Sequence, residues 1–351
     1  MSLSNDLFTI FENHYFQVIQ YMYPPKKILV IRFSSIGDIV LTTPVVRCLK
    51  QQLPGAEVHF LTKNQYLPLL KENPYIDKIH IINNKVTDIL EDLKVEDYDF
   101  VVDLHKNLRS SRVKMALGVE SGTFNKLNKK KWLLTNLKMN LLPKIHIVDR
   151  YFGAVKKLNV HNDGQGLDYF IPANEMISLS DYFPDEFLEG YNVLVVGSKQ
   201  QTKQMPVEKM MEFCVKTKLP VVLLGDKSDS QKAEQISSVL GEKVFNGCGV
   251  FTLNQSASVI LQAKVVVTPD TGLMHIASAL KKKVISVWGN TVPDFGMYPY
   301  FPKGQENYHI VEVSGLSCRP CSKLGYKECP KKHFRCMMDI DVDEILKLSE
   351  E

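Results

Sequence analysis

Short apolar runs alternate with amphipathic stretches along most of this chain. The strand-like runs of the first half are residues 27–33, 57–62, 78–82 and 100–105, and helical patterns between them include residues 44–53 and 66–73. Strands that alternate with helices indicate βαβ units and a parallel sheet.

A second alternating series follows a break in this pattern near residues 161–190. Its strand-like runs are residues 192–197, 221–225, 244–249, 265–270 and 284–289. Two such sets predict an α/β protein with two Rossmann-like parallel-sheet domains that face each other across a cleft. The expected bounds are 1–26 for an N-terminal helical extension, 27–175 and 185–335 for the two domains, and 336–351 for a C-terminal helix.

The extension carries apolar and aromatic residues at helical spacing over residues 7–23, and Pro24-Pro25 ends this pattern. A helix packed on the domain surface is the favoured interpretation. An interfacial membrane anchor is the alternative, although the segment lacks the lysine-rich polar face that such anchors usually carry.

Composition narrows the class of protein. The chain has 351 residues, of which 44% are hydrophobic and 23% charged, as expected for globular domains with ample core. No apolar stretch approaches the roughly 20 residues of a membrane span, and we expect no secretory signal. The net charge of +4 is too modest to indicate nucleic-acid binding by itself, so we expect no nucleic-acid partner.

Residues 32–44 read RFSSIGDIVLTTP, directly after the first apolar run. A carboxylate at the end of such a strand could cap a helix, bind a nucleotide or perform chemistry. We interpret Thr43, followed by Pro44 in the first turn, as the helix cap in preference to Asp38. We expect Gly37 to permit a tight turn before Asp38. No GxGxxG motif follows this strand, which argues against a dinucleotide-dependent dehydrogenase.

A candidate anion site follows the valine strand of residues 265–267. Asp270, Thr271 and Gly272 precede a helix whose N-terminal amides would favour a phosphate. Thr271 can add a hydroxyl donor, and Gly272 lets a phosphate approach the backbone. The alternative is an ordinary helix cap with His275 satisfied internally, and the local sequence leaves both open.

Other strand ends of the second series supply further candidates. Gly197 and Ser198 end its first strand, and Lys203 lies just beyond. Lys203 could neutralise a diphosphate or be a solvated surface lysine. Gly225 and Asp226 end the next strand, where Asp226 is either a ligand contact or a turn residue.

Together these stretches resemble the heptosyltransferases of glycosyltransferase family 9, which assemble the inner core of lipopolysaccharide. The resemblance extends from about Lys27 to the C-terminus. It rests on Ser34-Ser35-Ile36-Gly37-Asp38 with Thr43-Pro44, on Asp103 through Ser110, on Lys203 before Pro206, and most of all on Asp270-Thr271-Gly272 with His275, then Gly289 and Thr291.

The resemblance implies a GT-B architecture, with the acceptor bound by the first domain and the nucleotide-sugar donor by the second. It implies inverting transfer that requires no cofactor. Asp38 takes the position of the general base, and Lys203 with the turn at residues 270–272 takes the positions that bind the donor diphosphate. The expected donor-binding residues are Gly197, Ser198, Lys203, Gly225, Asp226, Asp270, Thr271, Gly272, His275 and Thr291.

The implied donor is ADP-heptose, and the implied acceptor is a lipid-linked anionic oligosaccharide at the cytoplasmic surface of the inner membrane. The expected acceptor-binding residues are Ser35, Gly37, His105, Asn107, Arg109 and Arg112. The two arginines could engage acidic groups of the acceptor or be ordinary surface arginines.

The densest basic cluster is LNKKKW at residues 127–132. A solvated lysine face is the usual explanation for such a run. An anionic lipid surface or a glycolipid acceptor is the functional alternative.

Four cysteines fall near the C-terminus as Cys318-x2-Cys321-x7-Cys329-x6-Cys336, with His333 between the last two. The spacing suits a structural zinc site. Free or disulfide-paired cysteines and, more remotely, an iron–sulfur cluster are the alternatives. The acidic run DIDVDE at residues 339–344 is interpreted as the first turn of a helix and not as a metal motif.

Two rival functions remain at this point. One is a transferase that uses another nucleotide sugar in surface polysaccharide synthesis. The other is a non-catalytic, zinc-containing module that binds nucleic acid through the lysine cluster. The three hypotheses predict different ligands. The heptosyltransferase should bind ADP, the other transferase another nucleotide, and the nucleic-acid-binding module an oligonucleotide.

Overall fold

The computed structural model describes residues 25–83 and 85–351. The interpretation of residues 7–23 as a helix lies outside these described residues. The described chain divides into two compact units, which are residues 25–34, 44–125 and 148–163, and residues 35–43, 126–147 and 164–351. Residues 35–43, which contain Asp38, therefore belong to the second unit. The predicted bounds of 27–175 and 185–335 stay a prediction.

Five parallel strands form the sheet of the first unit, in the order β3-β2-β1-β4-β5. They are β1 (Lys27–Ile31), β2 (Glu57–Lys63), β3 (Lys78–Ile82), β4 (Phe100–Asp103) and β5 (Glu120–Thr123). In β1, Ile31 is in register with Leu61 of β2 and with Asp103 of β4. The ends of these three strands therefore lie side by side.

Six parallel strands form the sheet of the second unit, in the order β11-β10-β9-β6-β7-β8. They are β6 (Asn192–Val195), β7 (Val221–Leu224), β8 (Val244–Asn246), β9 (Val265–Pro269), β10 (Lys283–Trp288) and β11 (Tyr308–Glu312).

Thirteen α-helices lie in the described part of the chain. They are α1 (Ile36–Val40), α2 (Thr43–Gln52), α3 (Leu90–Val95), α4 (Leu108–Leu117), α5 (Asn128–Leu137), α6 (Ile147–Tyr151), α7 (Asp185–Leu188), α8 (Val207–Lys216), α9 (Ser230–Leu240), α10 (Leu253–Gln262), α11 (Gly272–Ala279), α12 (Arg335–Met338) and α13 (Val342–Glu350).

The strands of the second sheet are apolar on both faces because each face has its own hydrophobic core. Val193 and Val195 of β6 pack into one core, whereas Leu194 packs into the core on the opposite face. Alternate residues of a strand point to opposite faces, so two covered faces require a nearly continuous apolar run. This physical requirement explains why the central strands could be predicted from sequence.

The fold class is confirmed, because both units are α/β with parallel sheets. The helix predicted at residues 66–73 was wrong, since the chain there forms a short 3₁₀-helix, Asn64–Leu69, that contains Pro68. Proline lacks the N–H group that a continuing α-helix would use. The acidic run near the C-terminus begins α13 as predicted, with Asp341 accepting hydrogen bonds from the N–H groups of Asp343 and Glu344.

Among the described residues, none of the helices is both long enough and apolar enough to span a bilayer.

Candidate active site

The close contact between α1 and α11 organises the site of the second unit. A Cβ atom added at Gly37 would lie 2.5 Å from Cδ2 of His275, and one added at Gly272 would lie 2.6 Å from Cγ2 of Ile36. Real Cβ atoms do not approach other atoms this closely, so both positions require glycine. Gly37 lies inside α1, and its backbone does not adopt a positive φ. The predicted role of Gly37 in a tight turn was therefore wrong, and its role is to let the two helices meet.

Asp38 is the third residue of α1 and is half-buried. Its Oδ2 atom accepts hydrogen bonds from the Ser35 hydroxyl at 2.7 Å and from the Ser35 backbone N–H at 3.2 Å. These bonds form a capping box, which fixes the carboxylate relative to the start of the helix.

Thr43 is not the cap that the sequence predicted. Helix α2 begins at Thr43 itself. The Thr43 hydroxyl donates to the carbonyl of Val40 at 2.8 Å and accepts from the N–H of Asp168 at 2.9 Å. The reason is that α1 ends only a few residues earlier, so its last carbonyl lies within reach of this hydroxyl.

His275 is 2% exposed and lies against Gly37 in the same contact. Burial lowers the pKa of His275 to about 4, and Lys203 acts in the same direction, although the carboxylates of Asp270 and Asp38 oppose the change. The imidazole is therefore neutral at physiological pH. Within the described residues, its Nδ1 atom is buried without a hydrogen-bond partner.

Asp270 gathers three of the predicted donor-binding side chains. The ammonium of Lys203 lies 2.5 Å from Asp270 Oδ2, and the Thr291 hydroxyl donates to the same oxygen at 3.1 Å. The Ser198 hydroxyl donates to the Asp270 carbonyl at a longer 3.5 Å. The Lys203 and Asp270 side chains are 16% and 13% exposed. The ion pair is therefore largely shielded from water, and it holds the two side chains in fixed positions.

The N-terminus of α11 follows directly after Asp270. Thr271 is its N-cap residue in extended conformation, and in the described structure its side chain makes no capping hydrogen bond. When no side chain caps the first turn of a helix, the backbone amides of that turn are suited to bind an anion. The Lys203 ammonium, which is paired with Asp270 directly before this helix, and these amides are the candidate anion-binding groups here.

A sequence profile decides which family this constellation belongs to. The profile of glycosyltransferase family 9 (heptosyltransferase) matches residues 86–332, which is more than half of the chain. The chain belongs to glycosyltransferase family 9.

Relatives with assigned names agree with this membership. This glycosyltransferase is 23% identical over 348 residues to lipopolysaccharide heptosyltransferase 1 of Campylobacter coli, with 93% of this chain and 98% of that protein covered. It is 24% identical over 348 residues to lipooligosaccharide heptosyltransferase 2 of Haemophilus ducreyi, with 91% and 97% covered.

Solved structures share its fold. The E. coli ADP-heptose lps heptosyltransferase II has a TM-score of 0.71 at 20% identity, with 92% of this chain and 97% of that chain covered. The E. coli heptosyltransferase WaaC with ADP has a TM-score of 0.64 at 19% identity, with 92% and 99% covered. The GT-B fold class predicted for this glycosyltransferase is confirmed.

The remaining donor-side candidates surround a buried carboxylate that the sequence did not reveal. Asp229 is 6% exposed, and burial raises its pKa. A Cβ atom at Gly197 would lie 1.9 Å from Asp229 Oδ2, and one at Gly225 would lie 2.8 Å from the same atom. Asp226 accepts from the N–H of Ser228 at 2.7 Å. Asp226 is thus part of a turn, which was one of the two interpretations left open.

The predicted acceptor-side residues on the loop after β4 belong to the first unit. Asn107 is the N-cap of α4 and accepts from the N–H of Ser110 at 3.0 Å. His105 lies against the ring of Phe33 with 4.7 Å between ring centroids, and the Arg109 guanidinium lies 5.5 Å from the centre of the same ring. Arg112 is exposed.

Asp103 holds this loop in place, and its structural role was not recognised from the sequence. It is fully buried at the end of β4. It accepts from the N–H groups of His105 at 3.0 Å and Lys106 at 2.6 Å, and from the Ser110 hydroxyl at 2.9 Å. An aspartate at the end of an otherwise apolar strand is the signal that could have indicated it.

The cysteine-rich segment packs beside the loop that follows β10. Arg319 donates to the carbonyls of Gly289 at 2.5 Å, Val313 at 2.7 Å and Thr291 at 3.1 Å. The N–H of Cys321 also donates to the Asn290 carbonyl at 3.1 Å. The segment therefore supports the backbone on which Thr291 is carried.

The four cysteines of this segment are all free thiols. Burial, together with the neighbouring Cys318 and Cys329, raises the pKa of Cys321 to about 11. The Sγ atom of Cys318 lies 3.9 Å from Nε2 of His333. In the described part of the chain, this segment does not bring three ligand atoms within 4.8 Å of one another. The predicted zinc site stays a prediction.

Another group of potential metal ligands lies in the first unit. Nitrogen atoms of His59 and His80 and a Glu96 oxygen lie within 4.8 Å of one another. The Tyr98 hydroxyl lies 2.9 Å from both His59 Nδ1 and His80 Nε2. Glu96 is already paired with Lys27 at 3.1 Å. The tyrosine and the lysine satisfy these groups, so we interpret the cluster as a structural polar network.

The buried His275 makes stability depend on pH. Its pKa is about 4 in the folded protein and about 6.5 when unfolded, so the unfolded chain binds the proton more readily. The stabilising contribution is complete above pH 6.5 and is lost as the pH falls toward 4. Relative to His275→Gln, the wild type should lose about 2 kcal/mol of unfolding free energy between pH 7 and pH 5.

Urea unfolding followed by tryptophan fluorescence measures this difference, because both tryptophans, Trp132 and Trp288, lie in the second unit. Parallel pH dependences for wild type and variant would contradict the account of His275.

Proposed function

We propose that this glycosyltransferase transfers heptose from ADP-heptose to a lipopolysaccharide core precursor, with inversion and with Asp38 as the general base. The observation that carries the proposal is the α1–α11 contact. It places the Asp38 carboxylate in the same unit as Lys203, Asp270 and the N-terminus of α11.

Asp38 is suited to receive a proton. In the proposed step, an acceptor hydroxyl oxygen forms a bond to the anomeric carbon while the bond from that carbon to the diphosphate oxygen breaks. The hydroxyl proton moves to the Asp38 carboxylate, which later releases it to water. The bonds from Ser35 hold the carboxylate in one orientation, which limits the entropy lost on reaching the transition state.

Lys203 and the α11 amides are suited to stabilise the leaving ADP. Negative charge grows on the diphosphate as the sugar departs, and groups that are already oriented stabilise it most effectively. Asp270 holds the Lys203 ammonium close to the helix N-terminus. The neutral His275 adds no positive charge of its own, so the cationic contribution at this point comes from Lys203.

The acceptor is proposed to be a lipid-linked anionic oligosaccharide at the cytoplasmic surface of the inner membrane. Arg109 and Arg112 are both exposed on α4. Guanidinium groups there can pair with phosphate or carboxylate groups of such a sugar. The organisation of the loop by Asp103 supports this assignment, because it fixes the start of the helix that carries both arginines.

Asp38→Asn should reduce transfer about 100-fold or more, since general-base catalysis typically contributes that much. Binding of ADP, measured by calorimetry, should remain within about threefold of wild type, a change of well under 1 kcal/mol. Asp88→Asn is the matched control. Asp88 is the third residue of the short 3₁₀-helix Val86–Ile89, where it takes part in another capping box, and it is exposed. Full transfer activity in Asp38→Asn would contradict the assignment of the base.

Within the same experiment, Lys203→Ala should weaken ADP binding by about 10- to 100-fold, the usual effect of losing a charge-assisted hydrogen bond. Lys209→Ala is its control, because Lys209 pairs with Glu212 on α8. Tighter binding of UDP or GDP than of ADP would indicate a different nucleotide-sugar donor.

We also propose that Cys318, Cys321, Cys329 and Cys336 hold one structural zinc ion, which takes no part in the transfer step. Metal analysis of protein purified without chelator should find one zinc per chain, lost in Cys318→Ser/Cys321→Ser. Removal of the metal should loosen the segment that supports Thr291 and lower the unfolding temperature, because Arg319 belongs to this segment. Four titratable thiols without any bound metal would contradict the zinc site.

A further inference from the structure

A basic segment without acidic residues crosses the surface of the second unit. Residues 126–147 contain six lysines and no aspartate or glutamate. The segment contains α5 (Asn128–Leu137), which is followed by an irregular loop up to the start of α6. Lysine side chains there lack the interspersed acidic residues that usually neutralise a solvated face.

The inner side of this segment is firmly attached to its own unit. Leu134 packs with Val292 and Phe295 in a small core. The Asn140 amide donates to Asp294 at 2.9 Å, and Lys138 donates to the Pro320 carbonyl at 2.7 Å. These contacts hold the backbone in place, so its outward side chains are exposed as a consequence of the fold.

Large apolar side chains occupy the outward side. The exposed fractions lie between 48% and 56% for Trp132, Leu137, Met139, Leu141 and Ile145. Single exposed apolar residues are common, but here five fall within fourteen consecutive positions. In water these side chains gain nothing from their exposure, so this concentration indicates a partner that is at least partly apolar.

Exposed lysines lie among these apolar residues along the chain. Lys129, Trp132 and Asn136 are spaced by three and four residues, which places them on one face of α5, opposite the buried Leu134. Lys129, Lys130 and Lys144 are exposed and form no ion pair within the described structure. Their charges are available to an anionic partner, whereas Lys138 is engaged by carbonyl groups.

We propose that this surface, formed by Lys129, Lys130, Trp132, Leu137, Met139, Leu141, Lys144 and Ile145, docks onto a bilayer that contains anionic phospholipid. Tryptophan and aliphatic side chains enter the interfacial region of a bilayer, and lysines extend to the lipid phosphates. The proposal rests on the proposed function only in that the acceptor is lipid-linked; the surface itself is identified from exposure and charge.

A bilayer fits this surface better than a folded protein does. The apolar side chains follow a helix and then an irregular loop, with exposed lysines near both ends, at residues 129–130 and 144. A segment that mixes tryptophan, aliphatic and lysine side chains is suited to the interface of an anionic bilayer. A protein partner would need a matching acidic and apolar surface, and this surface would then not bind protein-free anionic vesicles.

Vesicle flotation without donor or acceptor tests the docking directly. The full-length protein should float with vesicles of phosphatidylcholine and phosphatidylglycerol and not with phosphatidylcholine alone, and high salt should weaken the binding. Lys129→Gln/Lys130→Gln/Lys144→Gln should lower the partition coefficient about tenfold or more, because each lysine near an anionic surface contributes attraction. Trp132→Ser/Leu137→Ser should lower it to a similar extent.

Two matched controls should float as well as wild type. Lys71→Gln/Lys156→Gln/Lys347→Gln removes the same charge from other exposed positions. Val215→Ser/Val239→Ser removes exposed apolar side chains from α8 and α9. Equal loss in a control and in its matched variant would contradict a specific docking surface, as would equal binding of wild type to neutral and anionic vesicles.

Transfer to a water-soluble, deacylated acceptor separates this inference from the proposed function. The two surface variants should retain that activity, which also shows that they fold. If wild type transfers heptose but does not float with anionic vesicles, the docking surface is wrong and the proposed function stands. If wild type floats with anionic vesicles but transfers no heptose, the proposed function is wrong and the docking surface stands. Flotation only when the vesicles carry the glycolipid acceptor would show recognition of the acceptor and overturn the docking proposal.

Discussion

The close contact between α1 and α11 is the constraint on which the site of the second unit depends. Ile36 fills the space that a side chain at position 272 would need, and His275 fills the space beside Gly37. Because both glycines lack a Cβ atom, the start of α1 can lie directly against the start of α11. One packing contact therefore determines where Asp38 lies relative to the N-terminal end of α11.

The electrostatics of the site follow from the same contact. Burial between the helices keeps His275 neutral, and Asp270 pairs with Lys203. The neutral imidazole fills space without competing for the carboxylates. The hydrogen bond from Thr291 to the Asp270 carboxylate joins the loop after β10 to this ion pair. This arrangement is useful where a diphosphate must be met by groups that are already in position.

The central strands of both sheets could be predicted because buried parallel strands need continuous apolar runs. Strand β5 was missed, since its sequence ESGT is short and polar and lies at the sheet edge. Asp270 and Lys203 were singled out by their places after strand ends, and Thr291 by resemblance. The convergence of Lys203 and Thr291 on the Asp270 carboxylate depends on tertiary structure. The capping box of Asp38 escaped notice because α1 has only five residues and gives no periodic signal. The reason for glycine at position 37 lies in His275, which is more than two hundred residues away along the chain, so no local pattern could reveal it.

A double-mutant cycle on Gly37 and His275 tests the central contact most directly. Urea unfolding, followed by the fluorescence of the two tryptophans of the second unit, gives the free energy of unfolding for each variant. Gly37→Ala should cost about 1–3 kcal/mol, as overpacking does. In the His275→Ala background, which removes the clashing ring, the same change should cost at least about 1 kcal/mol less. Equal costs in both backgrounds, with no coupling between the two positions, would contradict the account.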